Sequence, residues 1–224
     1  MFRDDASVSA LSRIASGSDA DAAVVAEQSL AAIFNVLRAS VVKVVSGAGE
    51  ARGTGFVFAE DGLVLTIDVA VDPAATMQIA TRDGDVVECE VVGVADGIAV
   101  LRPAMSGPPA LTLDDRDATA YMEQELVYLG FGRSGWSTSR GHVIGLEQVP
   151  LGPDAETYTL LRCAMRTEPG HAGAPVVARS GKVVAMAFAH DPGPGHALLL
   201  PISEISAGLA SLGLLTPRQD DPSA

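Results

Sequence analysis

From Val41 to Pro201 the chain is written almost entirely in short runs of β-branched and aliphatic residues, each closed by a turn signal. The first set is Val41–Val45, Gly55–Ala59, Leu63–Thr66, Met77–Thr81, Val86–Val94 and Ile98–Leu101, separated by Ser46-Gly47, Glu60-Asp61-Gly62, Asp72-Pro73 and Arg82-Asp83-Gly84. Runs this short, at roughly ten-residue spacing, exclude a helical bundle and predict a small barrel or sandwich. A second set repeats the pattern: Glu125–Phe131, Thr138–Glu147, Tyr158–Arg162, Pro175–Ala178, Lys182–Ala189 and Ala197–Pro201. The two sets together predict an all-β chain of two packed six-stranded antiparallel β-barrels.

Helical periodicity is confined to the ends. Leu30, Ile33, Phe34 and Leu37 make one apolar stripe in a helix expected over Asp19–Ala39, with Ser18 or Asp19 as its N-cap. Ser203 is expected to cap a short C-terminal helix that carries Ile205, Leu209 and Leu212 and stops near Gly213. The domain boundaries that follow are a loose segment over 1–18, a helix and first barrel over 19–105, a linker over 106–119, a second barrel and helix over 120–213, and a tail over 214–224. In the linker, Asp114-Asp115-Arg116-Asp117 reads as solvated.

Composition narrows the function. Hydrophobic residues make up 48% of the chain, which excludes wholesale disorder, and aromatics only 4%, so aliphatic side chains must fill the core. With 28 acidic against 15 basic residues the net charge is −13, which opposes binding to phosphate backbones, so nucleic acid is not an expected partner. The acidic start Met1-Phe2-Arg3-Asp4-Asp5 lacks the apolar core of a secretory signal, and no run approaches the roughly 18–20 apolar residues that cross a bilayer. The expectation is a soluble, cytoplasmic protein with no membrane partner. Cys89 and Cys163 cannot make a disulfide framework and read as buried, reduced thiols. Homo-oligomerisation, with the 19–39 helix as an arm, stays open.

Local signatures in the two strand sets resemble the trypsin-like serine proteases, most closely their HtrA/Deg branch. Gly53-Thr54-Gly55-Phe56-Val57 and Asp61-Gly62-Leu63-Val64-Leu65-Thr66 are similar to that branch's G-x-G-F-(I/V) and D-G-x-(I/V)-L-T. Ala95-Asp96-Gly97-Ile98-Ala99-Val100-Leu101 resembles T-D-L-A-V-L, and Pro169-Gly170-His171-Ala172-Gly173-Ala174-Pro175 resembles P-G-N-S-G-G-P. Tyr128-Leu129-Gly130-Phe131-Gly132, Ser139–Ile144 and Gly195–Pro201 follow in family order, so the likeness covers about residues 28–212.

The resemblance implies a Ser–His–Asp triad, and the matching positions depart from it. Val69 stands where the His belongs, Gly97 where the Asp belongs and Ala172 where the Ser nucleophile belongs. No side chain there can attack a carbonyl or move a proton, which implies a pseudoprotease with no catalytic residues. The resemblance also implies a surviving oxyanion-hole loop at Gly170, His171 and Ala172, bordered by Ala185, Met186 and Ala187, that holds a peptide or protein partner through backbone donors. The alternative is a hydrolase with a displaced site, built on Ser137, Ser139 or Cys163. His190-Asp191-Pro192-Gly193-Pro194-Gly195-His196 has metal-ligating residue types on a Pro/Gly loop, which is a poor scaffold for a closed ligand set, so neither a metal nor a cofactor is expected. Trp136 reads as a loop-tip anchor.

Overall fold

The structure, a computed structural model, describes residues 34–35, 37–105, 107–132, 135–150, 157–190 and 195–215. The chain separates into two units at 36/37, and the fold below belongs to the second. Residues 34–35 and 37–40 are helical; the rest of the helix expected over 19–39, with its caps Ser18 and Asp19, lies outside the described residues.

Six strands form the first barrel: β1 (Val41–Ser46), β2 (Ala51–Val57), β3 (Val64–Ile67), β4 (Met77–Ala80), β5 (Val86–Ala95) and β6 (Ile98–Pro103). Six more form the second: β7 (Glu125–Gly132), β8 (Gly135–Pro150), β9 (Thr157–Ala164), β10 (Pro175–Val177), β11 (Val183–His190) and β12 (Ala197–Pro201). Both sheets close, in the orders β1-β2-β3-β6-β5-β4 and β7-β8-β9-β12-β11-β10, and every pairing within them is antiparallel. The two circuits have the same topology, an architectural repeat that leaves no trace in residue identity. Closure removes the sheet edges that would otherwise invite pairing with other chains.

Burial along the strands tells which sides meet. In β5 exposed positions alternate with half-buried ones, as expected of a strand with one wet face. In β3, β10 and residues 183–187 of β11 every residue is buried, because one face lines a barrel and the other is covered by protein. Strands β1 and β2 touch β7, and β3 touches β11, so the interface between the barrels is built from these runs. Each Val or Leu buried there contributes about 1.5–3 kcal/mol relative to exposure.

The connection between barrels is docked, which corrects the expectation of a solvated linker at Asp114. Leu111 N–H donates to the Val57 carbonyl of the first barrel, while Thr112 and Asp114 exchange backbone hydrogen bonds with Val183 of the second. The Asp114 side chain is 3% exposed and meets Arg116 at 2.7 Å. Burial pushes its carboxyl up, but hydrogen bonds from Arg116 and the Asp115 N–H, with the charges of Arg116 and Lys182, outweigh that and hold it at about 2. A carboxyl lowered in the fold adds stability above its ordinary value of 3.8 and loses it as pH falls toward 2. Asp114→Asn should therefore cost about 1 kcal/mol at neutral pH, the open guanidinium being screened by water. The wild-type advantage should disappear in urea titrations run near the lower pH.

Helix α1 (Ile202–Ser211) leaves β12 directly and crosses to the first barrel. It starts two residues earlier than expected, with Pro201 rather than Ser203 at its N-cap and no side-chain cap bond. Gly208 lies against Ile98, Leu212 fills the space over Gly93, and Ser211 Oγ donates to Asp96 Oδ2 at 2.9 Å.

Candidate functional site

The hairpin β5–β6 turns through Asp96-Gly97, between the paired Ala95 and Ile98. Both turn residues have positive φ, +50° and +77°, the pattern of a type I′ turn for which Asp-Gly is strongly preferred. Gly97 is thus in a conformation that opposes any side chain, and the Asp96 carboxylate is turned to Ser211, on α1. The Gly97 carbonyl accepts from Asp68 N–H at 3.2 Å, which brings the turn beside the 3₁₀ turn Asp68–Ala70. Asp68 Oδ1 in turn accepts from Val69 N–H at 2.6 Å, and the Val69 side chain is 72% exposed.

Ala172 comes to the same place through Gly53. A Cβ built on Gly53 would lie 2.8 Å from the Ala172 carbonyl oxygen and 3.2 Å from Ala70 Cβ. Thr54 N–H donates to that same Ala172 oxygen at 2.8 Å. Val69, Gly97 and Ala172, the positions that the resemblance assigns to a triad, therefore gather at the junction of the barrels.

A clamp holds the loop around Ala172. Thr54, fully buried on β2, donates from Oγ1 to the Gly170 carbonyl at 2.8 Å and accepts from Phe131 N–H at 3.0 Å. Thr66 Oγ1 donates to the Thr54 carbonyl, and Gly173 at φ +87° lies so close that a Cβ would be 2.0 Å from that carbonyl oxygen. Gly173 N–H donates to the Ala187 carbonyl and Ala187 N–H to the Ala174 carbonyl, tying the loop to β11. Among the described residues the N–H groups of Gly170 and Ala172 donate to no protein acceptor.

His171 points inward and is 1% exposed. Its Nδ1 lies 2.8 Å from the Tyr128 hydroxyl and accepts from Glu168 N–H at 3.0 Å; its Nε2 lies 2.5 Å from Ser137 Oγ. The Tyr128 ring tilts over the imidazole at 4.7 Å, and the same hydroxyl reaches the Arg166 carbonyl at 2.8 Å. Burial holds the imidazole below its ordinary 6.5, against the pull of Glu168, whose Oε1 is 3.7 Å from Nε2. A backbone N–H can only donate, so Nδ1 carries the lone pair and Nε2 carries the proton of the neutral ring. Beside this loop opens a cavity of about 190 Å³, lined by residues 167–172, Ala187 and Phe188.

The model of the trypsin-like peptidase domain matches residues 53–186, more than half of the sequence. The chain belongs to that family. Its likeness to the putative serine protease HhoB of Synechocystis sp. is 22% identity over 153 residues, 61% of this chain but only 34% of HhoB, so it spans about a third of that relative's length. Among solved structures, the Rv3671c protease of M. tuberculosis in its active form superposes with a TM-score of 0.72 at 22% identity, over 83% of this chain and 86% of that one. An inactive mutant form of the same protein gives 0.71 at 23%, over 83% and 92%. The HtrA-type protease AlgW with decapeptide gives 0.68 at 17%, over 80% of this chain and 66% of AlgW. Active and inactive forms match this trypsin-like chain equally well, so the superpositions speak for the fold.

Of the residues singled out in the sequence of this trypsin-like domain, Gly170, His171, Ala172 and Ala187 line the cavity. Ala185 and Met186 do not; both are buried in the second barrel and paired across β10 and β12. Phe188, Thr167 and Glu168 take the wall, and Thr54, Tyr128 and Ser137 shape the loop behind it. Only fold proximity reveals the contacts of Thr54, Tyr128 and Ser137 with this loop, which span 34–116 positions. Trp136 is not a loop tip: it lies in β8 with its ring 4.1 Å from that of Phe131. Cys163 is fully buried, Cys89 is half-buried rather than buried, and both are free. Among the described residues no three His, Cys, Asp or Glu side chains group as metal ligands; the 191–194 loop lies outside them. No described helix is long and apolar enough to cross a membrane.

Proposed function

We propose that this chain is a catalytically silent trypsin-like domain that holds an extended peptide or protein segment in the cleft between its barrels. The observation that carries the reading is the gathering of Val69, Gly97 and Ala172 beside a formed loop, with no hydroxyl, imidazole or carboxylate among the three. Acyl transfer on this fold needs a nucleophile, a base for its proton and a group that orients the base. Backbone donors need none of these. Among the described residues the N–H groups of Gly170 and Ala172 have no protein acceptor, and they lie next to a mostly apolar cavity, which suits a peptide carbonyl or carboxylate followed by an apolar side chain. Val69 is exposed rather than buried, which argues against a cleft filled by that side chain. The HtrA-type protease AlgW, which shares the fold, has been solved with a decapeptide, the ligand class proposed here. The net charge of −13 argues against nucleic acid as the partner.

A second reading, a hydrolase with a displaced nucleophile, is favoured by the contact of Ser137 Oγ with His171 Nε2. A serine is activated only when that nitrogen carries the lone pair. The Glu168 N–H donated to Nδ1 imposes the opposite tautomer, so Nε2–H donates to Ser137. Cys163 is no better, its thiol being pushed up to about 12 by burial.

One experiment separates the readings. The purified protein should neither cleave casein or peptide esters nor react with a fluorophosphonate probe, while a panel of short peptides binds by calorimetry. Stoichiometric labelling mapped to Ser137 or Ser139 would establish the displaced site instead. Absence of both labelling and binding at millimolar peptide would refute the peptide reading.

A further inference from the structure

We propose that His171 is a proton-operated latch: the neutral ring locks the loop that forms the cleft, and protonation at Nδ1 releases it. The latch stands on the ring's own contacts; its effect on ligand affinity rests on the peptide-binding reading above.

Four groups converge on one imidazole from three parts of the chain. Glu168 N–H and the Tyr128 hydroxyl meet Nδ1, while Ser137 Oγ and the Glu168 carboxylate face Nε2. In the neutral ring these contacts are mutually consistent. Nδ1 accepts from Glu168 N–H, Nε2–H donates to Ser137, and the Tyr128 proton is shared between Nδ1 and the Arg166 carbonyl.

Adding a proton at Nδ1 makes one contact impossible. The new N–H faces the Glu168 N–H at 3.0 Å, two donors with no acceptor between them. The imidazolium can still donate to the Tyr128 oxygen if the phenol turns its proton wholly to Arg166, so the ring keeps a partner and the backbone at Glu168 loses one. What yields is therefore the peptide at Glu168, two residues before Gly170, in the wall of the cavity. The charge does not disrupt the rest of the surroundings. Among the described residues the titratable groups facing the ring are Glu168 and Tyr128, and Tyr128 stays neutral because burial raises its phenol. Glu168 favours the cation, but burial dominates and keeps the ring neutral down to a pH below 6.5.

The sign follows. The unfolded chain binds this proton near pH 6.5 and the latched loop does not, so the latched state is fully favoured above that pH and loses ground progressively below it. Acid releases the loop; neutral pH restores it.

Trp136 makes the event visible without any ligand. It is the chain's single tryptophan, adjacent to Ser137 and packed at a tilt against the ring of Phe131, whose N–H is held by Thr54. Its emission should change reversibly, with a midpoint below pH 6.5, when the protein is titrated from about pH 7.5 to about pH 4.5. In His171→Asn, whose amide does not titrate in this range, that transition should vanish. Nitrogen NMR of the histidines provides a check that needs no variant. At about pH 7.5 one ring should show a lone pair on Nδ1 and a slowly exchanging Nε2 proton, assigned to His171 by its contact with the Ser137 residue. A proton on Nδ1 at neutral pH, or an unchanged fluorescence transition in the folded variant, would overturn the latch. For any peptide that binds at neutral pH, affinity should fall about fivefold or more across the same transition, the loss of one net hydrogen bond. A constant affinity across the transition would refute the link between latch and cleft while leaving peptide binding intact.

Discussion

Gly173→Ala is expected to cost about 2–5 kcal/mol of folding stability, from a left-handed backbone penalty of about 1–2 and overpacking of about 1–3. The methyl group would lie 2.0 Å from the Thr54 carbonyl oxygen and 2.5 Å from Thr66 Oγ1, both on buried strands of the first barrel. Neither neighbour is the free end of a flexible side chain, so relief requires that the loop part from the barrel. Against a total stability of about 5–15 kcal/mol, such a loss is a large fraction of the whole. Urea denaturation of Gly173→Ala beside Gly181→Ala isolates the clash. Gly181 has a similar φ of +79° and nothing within 4 Å, so it should lose only the backbone penalty, about 1–2 kcal/mol. Equal losses at the two sites would contradict the clamp.

The second large effect is expected at Thr54→Val, a change of nearly constant volume. It deletes the hydroxyl that accepts from Phe131 N–H and donates to the Gly170 carbonyl. Leaving two such groups unpaired costs about 1–3 kcal/mol each, so about 2–4 kcal/mol in all after partial rehydration of the loop side. The loss should have a location as well as a size. Amide exchange at Phe131 should accelerate, because its acceptor is gone, while exchange in β5 and β6 should follow global stability alone. Thr54→Ser keeps the oxygen and should recover most of both effects. A valine variant as stable as wild type would show that the hydroxyl bridge does not hold the loop.

The fold could be read from the sequence because its signals are local. Turn residues and runs of alternating burial appear wherever a strand ends or begins, and each of the twelve expected runs overlaps an observed strand. Asp96-Gly97 illustrates the strength of such a signal, since a two-residue turn with both φ positive admits few other pairs. Boundaries were less legible. β8 extends to Gly135 and Pro150, beyond Thr138–Glu147, because pairing with β7 and β9 carries residues of weak intrinsic strand preference along. The site was legible only where a motif covered it. Gly170, His171 and Ala172 lie in one short segment, whereas Thr54 and Tyr128 stand in motifs and Ser137 among the candidate nucleophiles, but their bonds to that segment span long separations that no local pattern reveals. Asp114 escaped for a related reason: an acidic run looks solvated until a strand of the other barrel is known to pass beside it.

The crossing of α1 to the first barrel has a consequence for the order in which the chain is made. A ribosome finishes β6 at Pro103, and the residues that cover Gly93 and Ile98, Leu212 and Gly208, emerge about a hundred residues later. At about 5–20 residues per second the first barrel waits about 5–20 s with that patch bare. During this interval it is a closed sheet without its last contacts, although all of its own strands exist. Truncation before Ile205 would make the condition permanent, so a nascent or clipped chain exposes in the first barrel a defect written at the far end of the message.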